Sequence, residues 1–139
     1  MTEKQLSPEL FRVVDANLNR LKEGIRVVED IIRYRDNNKS LALRLKTLRH
    51  KASFSEIEKL LQQRDSINDV LRPSTKSEQQ RVNIKDILLA NLKRAQESSR
   101  VLEELFKLYS LEDSENFKYI RYELYNLEKV IILNSIARD

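Results

Sequence analysis

VVDANLNRLKEGIRVVEDIIRY, residues 13–34, returns 74 positions later as ILLANLKRAQESSRVLEELFKL, residues 87–108. Eight of the twenty-two aligned positions are identical: Ala16/Ala90, Asn17/Asn91, Leu18/Leu92, Arg20/Arg94, Glu23/Glu97, Arg26/Arg100, Val27/Val101 and Glu29/Glu103. In the first copy Val14, Leu18, Leu21, Ile25, Val28 and Ile32 recur at three- and four-residue intervals, which is one face of an α-helix. A core asks only for apolar residues of about the right size. Packing alone would therefore keep Leu and Val and leave Asn, Arg and Glu free to drift. The polar signature A-N-x-x-R-x-x-E-x-x-R-V-x-E, held in both copies, points to two related half-sites carried on two long helices.

Working outward, Ser7-Pro8-Glu9 reads as an N-cap, a first-turn proline and a dipole-complementing acid, which opens a helix over about 8–35. Asp36-Asn37-Asn38 ends it. Ser40 is the expected cap of a second helix, about 41–52, carrying Leu41, Leu45 and Leu48. Ser53 to Glu56 offers a capping box for a third, about 55–63. Residues 64–82, RDSINDVLRPSTKSEQQRV, have no steady period and read as a long loop, of the kind that is functional or disordered in compact domains. Asn83 caps the helix bearing the second copy, about 84–110. Ser114 precedes a last helix through about 136, with Phe117, Ile120, Leu124, Leu127 and Ile131 facing inward. The expectation is one all-α domain over 1–139: a helical hairpin (about 8–63), the loop, and a second hairpin (about 83–137) packed as a bundle.

Composition agrees. The 139 residues include one Gly, two Pro and 35% charged side chains, the profile of a helical chain with few tight turns. There is no Cys, so disulfides and thiolate metal sites are excluded and a reducing cytoplasm fits. No apolar run reaches the ~20 residues of a membrane span, and the N-terminus lacks a signal-peptide core. The net charge of +4 is spread among acids, which argues against a nucleic-acid face and for local anion sites.

At about 100° per residue, Asn17 and Arg20 edge the buried stripe, with Glu23 one turn from Arg20. Asn91, Arg94 and Glu97 repeat the arrangement. Gly24 and Ser98, both small, lie between stripe and polar edge, where a ligand or a neighbouring helix can come close. The two asparagines fit either an inter-helix hydrogen bond or a ligand contact. Arg26, Glu29, Arg100 and Glu103 read as surface ion pairs. Arg49 and His50 on the second helix could add phosphate contacts. In the loop, Arg64, Asp65, Asp69, Glu78 and Arg81 fit either a solvated segment or a lid over a charged ligand. With one glycine the chain has no Gly-rich nucleotide cradle, so side-chain cations and helix N-termini would have to hold any phosphate.

The run D-A-N-L-N-R-x-x-E-G-x-R-V-V-E-D (residues 15–30) resembles a small family of hydroxymethylpyrimidine phosphate kinases, found standalone or fused in front of thiamine-phosphate synthase. The likeness continues through L-R-H (48–50), R-D-x-x-x-D-V (64–70), E-x-x-R (78–81), A-N-x-x-R-x-x-E-x-x-R-V-L-E-E (90–104) and R-Y-x-L-Y (121–125). Leu71 departs from the Gly expected after D-V, and Ser98-Ser99 from Ala-Leu. The resemblance implies ATP- and Mg²⁺-dependent phosphorylation of 4-amino-5-hydroxymethyl-2-methylpyrimidine phosphate to its diphosphate, with a functional link to thiamine-phosphate synthase. On that reading Arg20, Arg64 and Arg94 act on the transferred phosphoryl group. Asn17, Asn91, Arg49, Arg81, Glu23 and Glu97 bind substrate or nucleotide, and Asp65 and Asp69 hold magnesium. Whether sites form in one chain or across a homodimer stays open. Two rivals remain: an all-helical nucleotide pyrophosphohydrolase using Glu29-Asp30 and Glu103-Glu104 for magnesium, and a non-catalytic interaction module.

Overall fold

The computed structural model describes residues 5–138, with side chains through 135. Six α-helices follow one another: α1 (Pro8–Asp30), α2 (Lys39–Lys51), α3 (Ile57–Gln63), α4 (Lys76–Gln79), α5 (Ile84–Phe106) and α6 (Leu111–Arg138). No strand occurs among the described residues. A π-helical turn, Ile31–Arg35, extends α1, and Asn37 at φ 49° reverses the chain toward α2. Asn tolerates that left-handed backbone better than most residues.

The apolar stripe of α1 is buried as its spacing requires: Val14, Leu18, Leu21, Ile25, Val28 and Ile32 all lie in the core. Burying each such side chain is worth about 1.5–3 kcal/mol. Leu41, Leu45 and Leu48 of α2, with Phe117, Ile120, Leu124, Leu127 and Ile131 of α6, complete the same core. The central pair is α1 and α5, running antiparallel: Phe11 meets Tyr109 edge-on at one end, and Gly24 abuts Asn91 and Ala95. A Cβ built on Gly24 would lie 3.0 Å from the Asn91 carbonyl oxygen, so the glycine is there for a helix crossing. α2 and α3 pack on α1, and α6 packs on α5.

Three capping expectations are corrected. Asn38, not Ser40, caps α2, its side chain accepting from the Leu41 N–H at 3.1 Å. The expected capping box at 53–56 does not form. Glu56 instead accepts from Lys59 and from the Tyr109 hydroxyl, tying α3 to the end of α5, and these partners hold its carboxyl below the usual range. Ser114 lies inside α6 and donates to the Glu103 carbonyl at 2.8 Å, while the Ser110 hydroxyl accepts from the Asp113 N–H. Asn83 does cap α5, accepting from the Asp86 N–H. That helix stops at Phe106 rather than at about 110.

Glu29 and Glu103 are corrected too. Neither is a surface residue. Arg49 of α2 grips Glu29 through two hydrogen bonds, 2.7 and 3.2 Å, and Arg121 of α6 grips Glu103 at 3.0 and 2.9 Å. These carboxylates sit at matching positions of the sequence repeat, and each fastens its helix to a later one, α1 to α2 and α5 to α6. Arg26 and Arg100 stay exposed, paired with Asp30 and with Glu103 and Glu104. No helix among the described residues is long and apolar enough to cross a membrane.

Candidate functional site

The outward face of α1 between Glu9 and Glu23 forms the floor of an open cleft of ≈ 1190 Å³. Residues 63–72 arch over that floor, and Arg94 of α5 and Glu78 of α4 border it. A volume above the ~300–1,000 Å³ of a typical single-ligand pocket leaves room for two ligands side by side.

The arch is fixed at its stem. Asp15, almost wholly buried on α1, accepts two hydrogen bonds from the Arg64 guanidinium, 2.7 and 2.8 Å, a bidentate pair that holds the Arg64 pKa above its ordinary value. Arg12, one turn earlier, donates to the Asp65 carbonyl at 2.8 Å. Asp65 then turns the chain by accepting from both the side-chain amide and the backbone N–H of Asn68. These hydrogen bonds, the side-chain one foremost, hold its carboxyl below the usual aspartate range. Asp69 accepts from the Leu71 N–H through one oxygen.

Of the residues singled out from sequence, Asn17, Arg20, Glu23, Arg64, Asp65, Asp69, Glu78 and Arg94 meet in this cleft. Asn91, Glu97 and Arg81 do not line it. Arg49 is held by Glu29, which keeps the Arg49 pKa above its ordinary value and turns the guanidinium away from the cleft. Arg49, expected to contact phosphate, is in this structure committed to Glu29 and does not line the cleft. Arg64 lines the cleft with its guanidinium spent on Asp15, and Asp65 is spent on Asn68, so neither is an uncommitted ligand group. Asn17 and Asn91 each donate back to a carbonyl four residues earlier, Val13 at 2.9 Å and Ile87 at 2.8 Å. Neither bridges helices through that bond.

The side chains of Arg20, Arg72, Arg94, Glu23 and Glu78, all lining the cleft, make no hydrogen bond or ion pair among the described residues. Arg20 and Arg94 stand 74 positions apart, at the same place in the two copies of the motif, and they line one cleft rather than two. Sequence reasoning passed over Asp15, Arg12 and Arg72. Asp15 opens the D-A-N run and carries an acid at the edge of an apolar stripe, which is the signal that marks it. Arg12 and Arg72 carry none.

No group of three or more His, Asp or Glu side chains able to hold a metal occurs among the described residues. Magnesium in phosphate sites, however, takes one or two carboxylates and completes its shell with water and substrate phosphate. Glu23, Glu78 and the second oxygen of Asp69 are the carboxylate groups of the cleft left free to contribute to such a shell. The cleft carries six carboxylates (Glu9, Asp15, Glu23, Asp65, Asp69, Glu78) against five arginines.

A family model described as the ThiD2 family matches residues 12–130. Thiamine-phosphate synthase of Nostoc punctiforme is 38% identical over 130 residues, which are 91% of this chain and 36% of that protein. Thiamine-phosphate synthase of Synechocystis sp. is 37% identical over 137 residues, 97% of this chain and 40% of that protein. The chain thus spans little more than a third of the length of such relatives. No solved structure matches it.

Proposed function

The chain belongs to the ThiD2 family, and on that footing we propose that it acts in thiamine biosynthesis as a kinase of 4-amino-5-hydroxymethyl-2-methylpyrimidine phosphate, using ATP. The observation that carries this reading is the pair Arg20 and Arg94: equivalent, unpaired and turned into one cleft with room for two ligands. The thiamine-phosphate synthase relatives support the pathway. The kinase chemistry rests on the motif resemblance and on the residues themselves.

In this reaction an oxygen of the substrate's own phosphate attacks the γ-phosphorus of ATP. The new P–O bond forms as the bond to the β–γ bridging oxygen breaks, and ADP leaves with the electron pair. A phosphate monoester is largely ionised near neutral pH, its second pKa being about 6, so no general base is required. The cleft offers no histidine. Two guanidiniums lining one cleft suit the spread charge of a metaphosphate-like transition state. Glu23, Asp69 and Glu78 are the carboxylates that would help hold magnesium, which would supply further neutralisation of phosphate charge when bound. Asp15 and Arg64 act as positioning residues that hold the arch over the floor.

The hydrolase rival loses support, because Glu29 and Glu103 are consumed by Arg49 and Arg121. An ATP-to-ADP assay comparing the free pyrimidine alcohol with its monophosphate tests the proposal. Turnover with the monophosphate alone is expected. Pyrophosphate release from a nucleoside triphosphate without any pyrimidine would refute it. So would a melting temperature that ATP and magnesium together leave unchanged, since a ligand that binds only the native state must raise it.

A further inference from the structure

The arch carries three large apolar side chains that the fold does not use. Ile67 is 78% exposed, Val70 91% and Leu71 81%, and all three line the cleft. None of the three belongs to the hydrophobic core or packs against it, and their neighbours Ser66, Asn68, Asp69 and Arg72 are polar. Exposed apolar side chains are ordinary when scattered singly. Three within five residues, on a segment pinned at its stem by Arg64–Asp15 and Arg12–Asp65, form a patch with a fixed address.

That address decides what the patch suits. Arg20 and Arg94 line the same cleft and neither side chain makes an ion pair, so an anionic group on the occupant is the partner they lack. A simple inorganic anion would need only those cations and would leave the apolar trio in water. The complementary ligand has a phosphate at one end and a flat, weakly polar body at the other. We infer that Ile67, Val70 and Leu71 form the wall that covers the heteroaromatic ring of a phosphorylated ligand whose phosphates are held by Arg20 and Arg94. The inference rests on the kinase reading for the ligand's class, since both the pyrimidine phosphate and ATP are rings with phosphate tails. Apolar burial against the ring supplies discrimination that phosphate contacts alone lack.

The chain contains no tryptophan, so an Ile67→Trp variant of the full chain gives a single indole reporter in the wall. Four probes are titrated: ATP with magnesium, the pyrimidine monophosphate, inorganic tripolyphosphate with magnesium, and inorganic phosphate. The expected result is quenching or a blue shift with at least one ring-bearing ligand and no response to the two ringless anions. The ligand that responds is the one whose ring the wall covers. In parallel, Val70→Ser and Leu71→Ser should each raise KM for that ligand roughly five- to tenfold, at unchanged melting temperature, while KM for the other ligand stays put. An indole that answers tripolyphosphate as strongly as ATP overturns the inference. It is also overturned if the indole is silent, or the KM values are unmoved, while the wild-type chain turns over substrate; the kinase reading then survives. A ring-dependent indole response in a chain that makes no ADP has the opposite meaning: the wall stands and the kinase reading falls.

Discussion

Arg49→Ala separates the two roles that sequence and structure assign to this arginine. Arg49 donates at 2.7 and 3.2 Å to a Glu29 side chain that is 1% exposed. Truncation leaves that carboxylate buried without its counter-charge, which costs about 3–5 kcal/mol for a buried pair. At about 2.1 cal/mol/K per residue, a chain of 139 residues has an unfolding entropy of roughly 0.3 kcal/mol/K. The melting temperature should therefore fall by roughly 10–17 °C. A calorimetric or circular-dichroism melt reads this directly, and turnover measured well below the new transition should stay within about twofold of wild type. The double variant Glu29→Leu/Arg49→Met removes both charges and keeps apolar volume, so it should regain most of the lost stability. An Arg49→Ala protein that melts normally and loses turnover would refute the reasoning, because Arg49 would then be handling phosphate rather than Glu29.

The opposite pattern is expected at the cleft. Arg20→Ala and Arg94→Ala should each lower kcat by about 10²–10³-fold with the melting temperature moved by no more than about 2 °C; near-normal kcat in both variants would remove them from the reaction. At the helix crossing, Gly24→Ala gains about 1 kcal/mol of helix propensity against about 1–3 kcal/mol of overpacking, because its Cβ would meet the backbone oxygen of Asn91 at 3.0 Å. Denaturant titration should show a net loss, and a clear gain would mean the helices do not touch there. Asp65 should titrate below the ordinary aspartate value of about 3.9, since Asn68 donates to its ionised form. What this turn contributes to the arch is complete above about pH 4 and is lost as the pH falls through the lower folded-state value. Carboxyl NMR reads the midpoint, Asn68→Ala should move it back up, and a midpoint at or above the ordinary value would contradict the turn.

Much of this molecule was written in its apolar spacing. A stripe recurring every three or four residues can be buried only on a helix, and two such stripes of equal length bury each other. The long helices, their core residues and the irregular segment between them followed from that alone. Cap positions were less legible, because Ser, Asn and Glu near a helix start all offer an oxygen and the chain's exit angle selects among them. Asn38 beat Ser40 because Asn37 turned the chain first.

The polar signature was visible in the sequence but not its division of labour. Arg20, Arg49, Arg64 and Arg94 are chemically the same side chain, and all sit in recognisable motifs. Local sequence determined that charges would flank the buried stripes. Only tertiary structure decided that α2 brings Arg49 onto buried Glu29 and that residue 64 meets Asp15, while Arg20 and Arg94 line a common cleft without an ion-pair partner. An arginine's role depends on which acid lies within about 4 Å of it. Those acids stand 20 and 49 residues away along the chain, a distance that periodicity does not span.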